Sequence, residues 1–181
     1  MKRILTLTVL LLLFRQAGAQ QILISKNAVV SFYSSTIVED IEAKSSSASS
    51  VINTSTRELL FKVSNTSFRF PKGLMQEHFN ENYMESEKFP YSEFKGKIGG
   101  SFDPQKDGTY KVMVNGTLNI HGVSKSYSAP AELTVKGADV SAKASFKVKI
   151  ADHGIKIPTL VFKNIAEFVE IKIQALYQPK K

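Results

Sequence analysis

A chain of 181 residues with no cysteine has no means of building a disulfide framework, attaching a lipid through a cysteine, or performing thiol chemistry. Its formal net charge of +8 falls to +5 when Lys2, Arg3 and Arg15 are set aside with the N-terminal segment, and the remaining lysines alternate with apolar residues, as Lys143, Lys147 and Lys149 do around Phe146 and Val148, the pattern of a solvated outer strand face. Without a basic patch interleaved with stacking aromatics, nucleic acid is excluded as a partner, and transient contact with an anionic membrane surface stays open.

The first residues read as a targeting signal. Lys2 and Arg3 precede the apolar run 4–14, and Ala17-Gly18-Ala19 supplies the small residues a signal peptidase needs. Residues 1–19 are therefore expected to be a signal peptide, because the run is too short to span a bilayer and no stop-transfer pattern follows. Residues 20–181 then form a single domain, long enough to bury its own core. No other stretch is long and apolar enough to be a transmembrane segment. An exported domain without disulfides fits a bacterial periplasm or a secreted bacterial protein.

The remainder reads almost entirely as strand. Val29–Ser34 is expected to be a short first strand. The serine-rich stretch Glu39–Thr54, flanked by Ile41, Ala43 and Val51, predicts two strands meeting at a turn of small residues. Leu59–Val63 alternates clearly and is expected to continue to Phe68 and Phe70. At Lys72–Met84 the period changes from two to about 3.6. Leu74, Met75, His78, Phe79, Asn82 and Tyr83 then share one face of a short helix that starts after Pro71 and ends before Pro90. Strand resumes at Glu93–Gly100, followed by turns at Asp103-Pro104 and Asp107-Gly108.

The clearest element is Gly108–Lys136, two long strands joined at His121-Gly122. Tyr110, Val112, Val114, Gly116, Leu118 and Ile120 fall on one face of the first arm, and Ala129, Ala131, Leu133 and Val135 continue the alternation in the second. At about 3.3 Å per residue the first arm is roughly 40 Å long. Ala144, Phe146, Val148 and Ile150 make a further strand. Asp152–Lys163 reads as a loop with apolar contacts from Ile157, Leu160 and Phe162, and Glu167–Tyr177 closes the series. Long up-and-down strands with one plugging helix predict an all-β, eight-stranded antiparallel closed barrel, which has no free edges to protect.

The segment Gly73-Leu74-Met75-Gln76-Glu77-His78-Phe79-Asn80, followed by Lys88-Phe89-Pro90-Tyr91-Ser92-Glu93-Phe94, resembles the YceI family of bacterial exported proteins. So does Gly116-Thr117-Leu118-Asn119-Ile120-His121-Gly122-Val123-Ser124-Lys125, which is similar to the family's G-x-L-x-I-x-G-V-[ST]-K hairpin. The likeness covers most of residues 27–177. The family's usual apolar first strand pair is replaced here by the polar stretch Ser34–Ser50, so the ligand end is expected to depart from the family pattern. The resemblance implies a lipocalin-like barrel whose apolar interior holds a polyisoprenoid or quinone-type lipid, with the protein acting as a carrier or store, as a monomer or a homodimer, and without any other cofactor. The inward positions then point to Phe61, Phe68, Phe79, Phe94, Tyr110, Val112, Val114, Phe146, Val148 and Ile171 as the lining.

Catalytic patterns are missing. The three histidines, His78, His121 and His153, have no metal-ligand spacing. His78 on the apolar helix face is expected to be a hydrogen-bonded core or rim residue, and His121, at a hairpin turn, to be exposed. There is no G-x-S-x-G elbow and no glycine-rich phosphate loop, so the expectation is that the protein is not an enzyme. The competing expectation is a barrel packed solid, acting through its surface as a stress-related envelope module. Inward Gly96, Gly116, Ala131, Ala144 and Ala175 leave space for a ligand or for large side chains from the opposite wall.

Overall fold

The structure is a computed structural model that describes residues 22–157 and 165–180. The expected signal peptide lies outside the described residues, as do Pro158, Leu160 and Phe162 of the expected loop. Eight strands follow in chain order: β1 (Ile22–Ser35), β2 (Asp40–Asn53), β3 (Glu58–Ser64), β4 (Tyr91–Gly99), β5 (Gly108–Ile120), β6 (Val123–Lys136), β7 (Asp139–Lys149) and β8 (Phe168–Pro179). Each pairs antiparallel with the next, and β8 returns to β1, so the sheet closes into a barrel. Closure leaves no row of unpaired peptide groups.

β5 and β6 form the hairpin that the sequence predicts, paired from Gly108↔Val135 to Ile120↔Val123. Both residues of its two-residue loop have positive φ, 52° at His121 and 74° at Gly122, the requirement of a type I′ turn whose twist matches that of the strands. Val112, Val114, Leu118, Ala129, Leu133 and Val135 are buried, so the predicted inward face is the observed one.

The N-terminal strands differ from expectation. β1 begins at Ile22 rather than Val29, and the serine-rich stretch is one 14-residue strand rather than two. The reason is a pair of β-bulges. Ser25 faces Ser50, Ala28 faces Ala48 and Val30 faces Ser45, so one extra residue sits at Lys26-Asn27 on β1 and another at Ser46-Ser47 on β2. Each bulge flips the phase of alternation. On β2 the buried positions run Ala43 and Ser45, then Ala48, Ser50 and Ile52. A period-two reading breaks at that flip and mistakes it for a turn. Three of the inward serines are bonded within the barrel: Ser45 Oγ to Ser67 Oγ at 2.7 Å, Ser50 Oγ donating to Leu60 O at 2.7 Å, and Ser34 Oγ accepting from Ala166 N at 2.9 Å. Bonded hydroxyls make a polar strand tolerable inside the barrel.

The segment between β3 and β4 covers one barrel end. β3 does not continue to Phe70; it stops at Ser64 and is followed by a 3₁₀ turn at Asn65–Ser67. Arg69 and Lys44 then exchange backbone bonds of 2.9 and 3.1 Å. Instead of one helix across Lys72–Met84 there is a short helix α1 (Gly73–His78) and a π turn (Phe79–Tyr83) closed by Met84 N donating to Phe79 O at 2.8 Å. The wider turn changes the phase of the faces. Met75, His78, Phe79 and Tyr83 border the barrel interior, while Leu74, expected on that face, is 62% exposed and Asn82 is exposed as well. Buried Asn65 fixes the return to β4: its Nδ2 donates to Phe89 O at 2.6 Å and its Oδ1 accepts from Ser92 Oγ at 2.8 Å.

Candidate functional site

The barrel encloses a cavity of about 340 Å³, within the range of about 300–1,000 Å³ typical of small-molecule sites. Of the ten positions the sequence suggested, Phe61, Phe68, Phe79, Phe94, Val114, Phe146, Val148 and Ile171 border it. Tyr110 and Val112 do not. They lie deeper in the closed end, where Val112 is buried and the Tyr110 ring meets Phe102 edge-on at 5.7 Å, with its hydroxyl donating to Lys106 O at 2.8 Å. Alternation identifies the inward face of a 13-residue strand, but β5 is longer than the cavity. Its first inward residues therefore fill the floor.

Two unlike walls face the space. One is aromatic: Phe79, from the π turn, stacks on Phe32 at 5.4 Å and touches Phe68 and Phe70 at 5.6 and 5.1 Å. Clusters at these centroid distances gain from edge and offset contacts as well as from burial. The other is smooth: Ala129 and Ala131 on β6 and Ala142 and Ala144 on β7 all border the cavity, with Ala131 directly opposite Ala144. Sequence reasoning left out Phe32, Phe70, Met75, Ala129 and Ala142 as lining. An alanine at an inward position gives no signal of its own.

Gly96 and Gly116 face each other across β4 and β5 and do not open space directly. A Cβ added at Gly96 would lie 2.6 Å from Phe94 Cε1, and one at Gly116 would lie 2.7 Å from Phe94 Cζ. The ring of Phe94 therefore occupies the notch left by the glycine pair, coming from the neighbouring inward position of the same strand rather than from the opposite wall.

The floor is shut by Tyr177, 3% exposed. Its hydroxyl is 2.8 Å from Ser50 Oγ, whose own proton goes to Leu60 O, so the phenol donates to the serine. Burial pushes the Tyr177 pKa up to about 12 and keeps it a neutral phenol.

At the opposite end the stitches are polar. The Glu85 carboxylate accepts from His121 Nε2 at 2.5 Å, and His121 Nδ1 lies 3.3 Å from His153 O. Contrary to expectation His121 is covered, its side chain only 14% exposed, because Phe89 packs edge-on against it at 4.6 Å. His153 is fully buried. Its Nδ1 donates to Val123 O at 3.0 Å and its Nε2 accepts from the Tyr127 hydroxyl at 3.0 Å, a set satisfied by one neutral tautomer. Burial holds its pKa below the usual imidazole value. His78 is exposed at the cavity rim, and at the same rim Lys72 Nζ pairs with Glu39 Oε1 at 2.9 Å. Among the described residues no group of three or more histidines and acids is placed to hold a metal ion, and no helix is long and apolar enough to cross a membrane.

A closed eight-stranded antiparallel barrel, plugged by one short helix over an apolar cavity, is the class of protein these observations define. The model of the YceI-like domain matches residues 22–176, and the chain belongs to that family. Among solved structures it is similar to a polyisoprenoid binding domain from Saccharophagus degradans implicated in plant cell wall breakdown, with a TM-score of 0.76, 15% identity, and 89% of this chain and 99% of that one covered. It is also similar to BcnA of Burkholderia cenocepacia, with a TM-score of 0.70, 16% identity, and 82% and 95% covered. The Campylobacter jejuni YCEI protein follows at 0.61 and 18% identity, with 77% and 84% covered. At these identities the likeness is one of fold. No curated protein sequence matches the chain.

Proposed function

We propose that this protein is an exported carrier or store for an apolar lipid of the isoprenoid or quinone type, held in the barrel cavity. The observation that carries the reading is an interior of about 340 Å³ bordered mostly by apolar side chains. A barrel acting through its surface alone has no use for that space, and an empty apolar void forgoes contact energy. Each CH₂ group moved from water into such a wall contributes about 0.8 kcal/mol, so a prenyl chain of modest length overcomes the cost of association. No bond is made or broken in this reading. The S. degradans neighbour, described as a polyisoprenoid binding domain, supports the same ligand class. The pattern of residues 1–19, which reads as a signal peptide, supports a periplasmic or secreted location.

The test is native mass spectrometry of the protein purified gently from its own periplasm, followed by organic extraction of whatever is bound. A prenyl species at near one-to-one occupancy is expected, and the intact mass reports whether one or two copies carry it. A bare protein mass, unchanged after incubation with quinones and prenyl alcohols, overturns the proposal.

A further inference from the structure

Most polar side chains on the cavity border are already bonded within the protein. Tyr177 is tied to Ser50, Asn65 to Phe89 O and Ser92, and Ser34 to Ala166 N, while Glu39 and Glu93 pair with Lys72 and Lys62. Lys143 lies in the outward phase of β7, between Ala142 and Ala144, and is exposed. Two groups remain. His78 and Tyr83 both border the cavity, and neither side chain has a hydrogen bond, ion pair or ring contact with another described residue.

The π turn brings the two together. In an α-helix residues five apart lie about 140° apart around the axis. The wider turn at Phe79–Tyr83 closes on the fifth residue and sets Tyr83 over His78, on the side that borders the cavity. His78 is exposed as well as cavity-lining, so it marks the opening, and Tyr83 is half-buried. Burial raises the Tyr83 pKa and keeps its hydroxyl a neutral donor. Imidazole offers an N–H in either protonation state.

The charges around this pair do not favour an anion. The nearest cations along the plug are engaged, Lys72 by Glu39 and Arg69 by the carbonyls of Thr66 and Phe68, whereas Glu77 and Glu81 flank His78 and Tyr83 as exposed carboxylates. A neutral oxygen acceptor meets two free donors there. At the floor the same oxygen would find Tyr177 and Ser50 already bonded to each other, and an unpaired polar atom in an apolar interior is costly. We infer that His78 and Tyr83 form the head site of the cavity, donating hydrogen bonds to a carbonyl oxygen of a neutral, quinone-type head while the apolar chain runs inward toward Tyr177. This inference rests on the carrier reading and adds to it the orientation of the ligand and the chemistry of its head.

The test compares wild type with His78→Ala, Tyr83→Phe and the double variant. Decylubiquinone is the probe with a neutral carbonyl head, farnesene the isoprenoid with no head, and farnesyl phosphate the one with an anionic head. Affinities are read by displacement of Nile red, and urea midpoints confirm that each variant is folded. The ratio of decylubiquinone to farnesene affinity is expected to fall by about fivefold in each single variant, equivalent to one net hydrogen bond of about 1 kcal/mol, and further in the double variant. The isotope-edited infrared carbonyl band of bound decylubiquinone is expected to lie below its position in hexane for the wild type and to move back in the double variant. Farnesyl phosphate is expected to bind the wild type at least about tenfold more weakly than decylubiquinone does. If His78→Ala fails to fold, the ratio and the carbonyl band of Tyr83→Phe decide alone. An unchanged ratio and band overturn the head site and leave the carrier reading standing, as does tighter binding of farnesyl phosphate than of decylubiquinone. Failure of the wild type to bind any of the three probes overturns both.

Discussion

The two ends of the barrel are sealed by different means. At the floor the seal is made by the strands themselves. Leu23, Ile52, Val135, Val140 and Tyr177 are buried side chains from five strands, and Tyr177 is tied to β2 through Ser50. At the plug end the cover is an insertion between β3 and β4 in which no residue of α1 is buried. It is held by the rings of Phe68, Phe70 and Phe79 against Phe32 of β1 and by a few polar stitches, with Glu85 to His121, Asn65 to Phe89 O and Ser86 Oγ to Asn80 Oδ1 the clearest. Opening the floor requires breaking the sheet, whereas opening the plug leaves every strand ladder intact. Elements with few buried contacts are the ones that open locally at low cost. On the carrier reading proposed above, the difference predicts that ligand passes at the plug and that the floor carries the barrel's stability.

The largest expected effect follows from truncating the floor. Tyr177→Ala removes a buried ring and leaves Ser50 without its donor, so urea denaturation is expected to show a loss of about 3–5 kcal/mol. Phe79→Ala, in the plug, removes a half-buried ring from the aromatic cluster and is expected to cost about 1.5 kcal/mol, while weakening lipid binding more than it weakens the fold. Equal losses of stability from the two truncations would erase the distinction between the ends.

Glu85→Gln gives a smaller effect by removing the charge from the stitch to His121. Amide hydrogen exchange at Met84, Ser86 and Phe89 is expected to accelerate by roughly five- to tenfold, corresponding to about 1 kcal/mol of local opening. The amides of β5 and β6 should not change. Acceleration spread evenly over the barrel would mean that the plug and sheet unfold as one unit.

The smallest effect is a pH dependence. Burial lowers the pKa of His153 in the folded state, so the unfolded chain takes up the proton first. The contribution of neutral His153 is therefore complete above the unfolded value of about 6.5 and is lost as pH falls through the lower folded value. Urea midpoints measured between pH 8 and pH 5 should decline more in the wild type than in His153→Gln. Parallel curves would show that this buried imidazole does not sense pH.

How much of this was legible in advance depends on whether a feature is local. The β5–β6 hairpin was readable residue by residue, because its period of two is unbroken and His121-Gly122 adopts the positive φ angles its turn demands. β2 was not, since the bulge at Ser46-Ser47 changes the inward parity from Ala43 and Ser45 to Ala48, Ser50 and Ile52. The register of the partner strand creates that change, and nothing in the serine run announces it. His121 is another case. A turn residue is ordinarily exposed, yet Phe89 and Glu85, from a segment more than thirty residues earlier in the chain, cover it.

The sequence by itself determined that this chain is a closed antiparallel barrel with a helical plug, and which face of most strands turns inward, because backbone period and turn chemistry are properties of neighbours along the chain. Only the tertiary structure decided that Val114 borders the cavity while Val112, two residues away, lies in the floor. It also decided that Gly96 and Gly116 receive the ring of Phe94. Inward and outward are set by alternation along a single strand, but depth within the barrel is set by the stagger among all eight, a quantity that exists only once the sheet has closed.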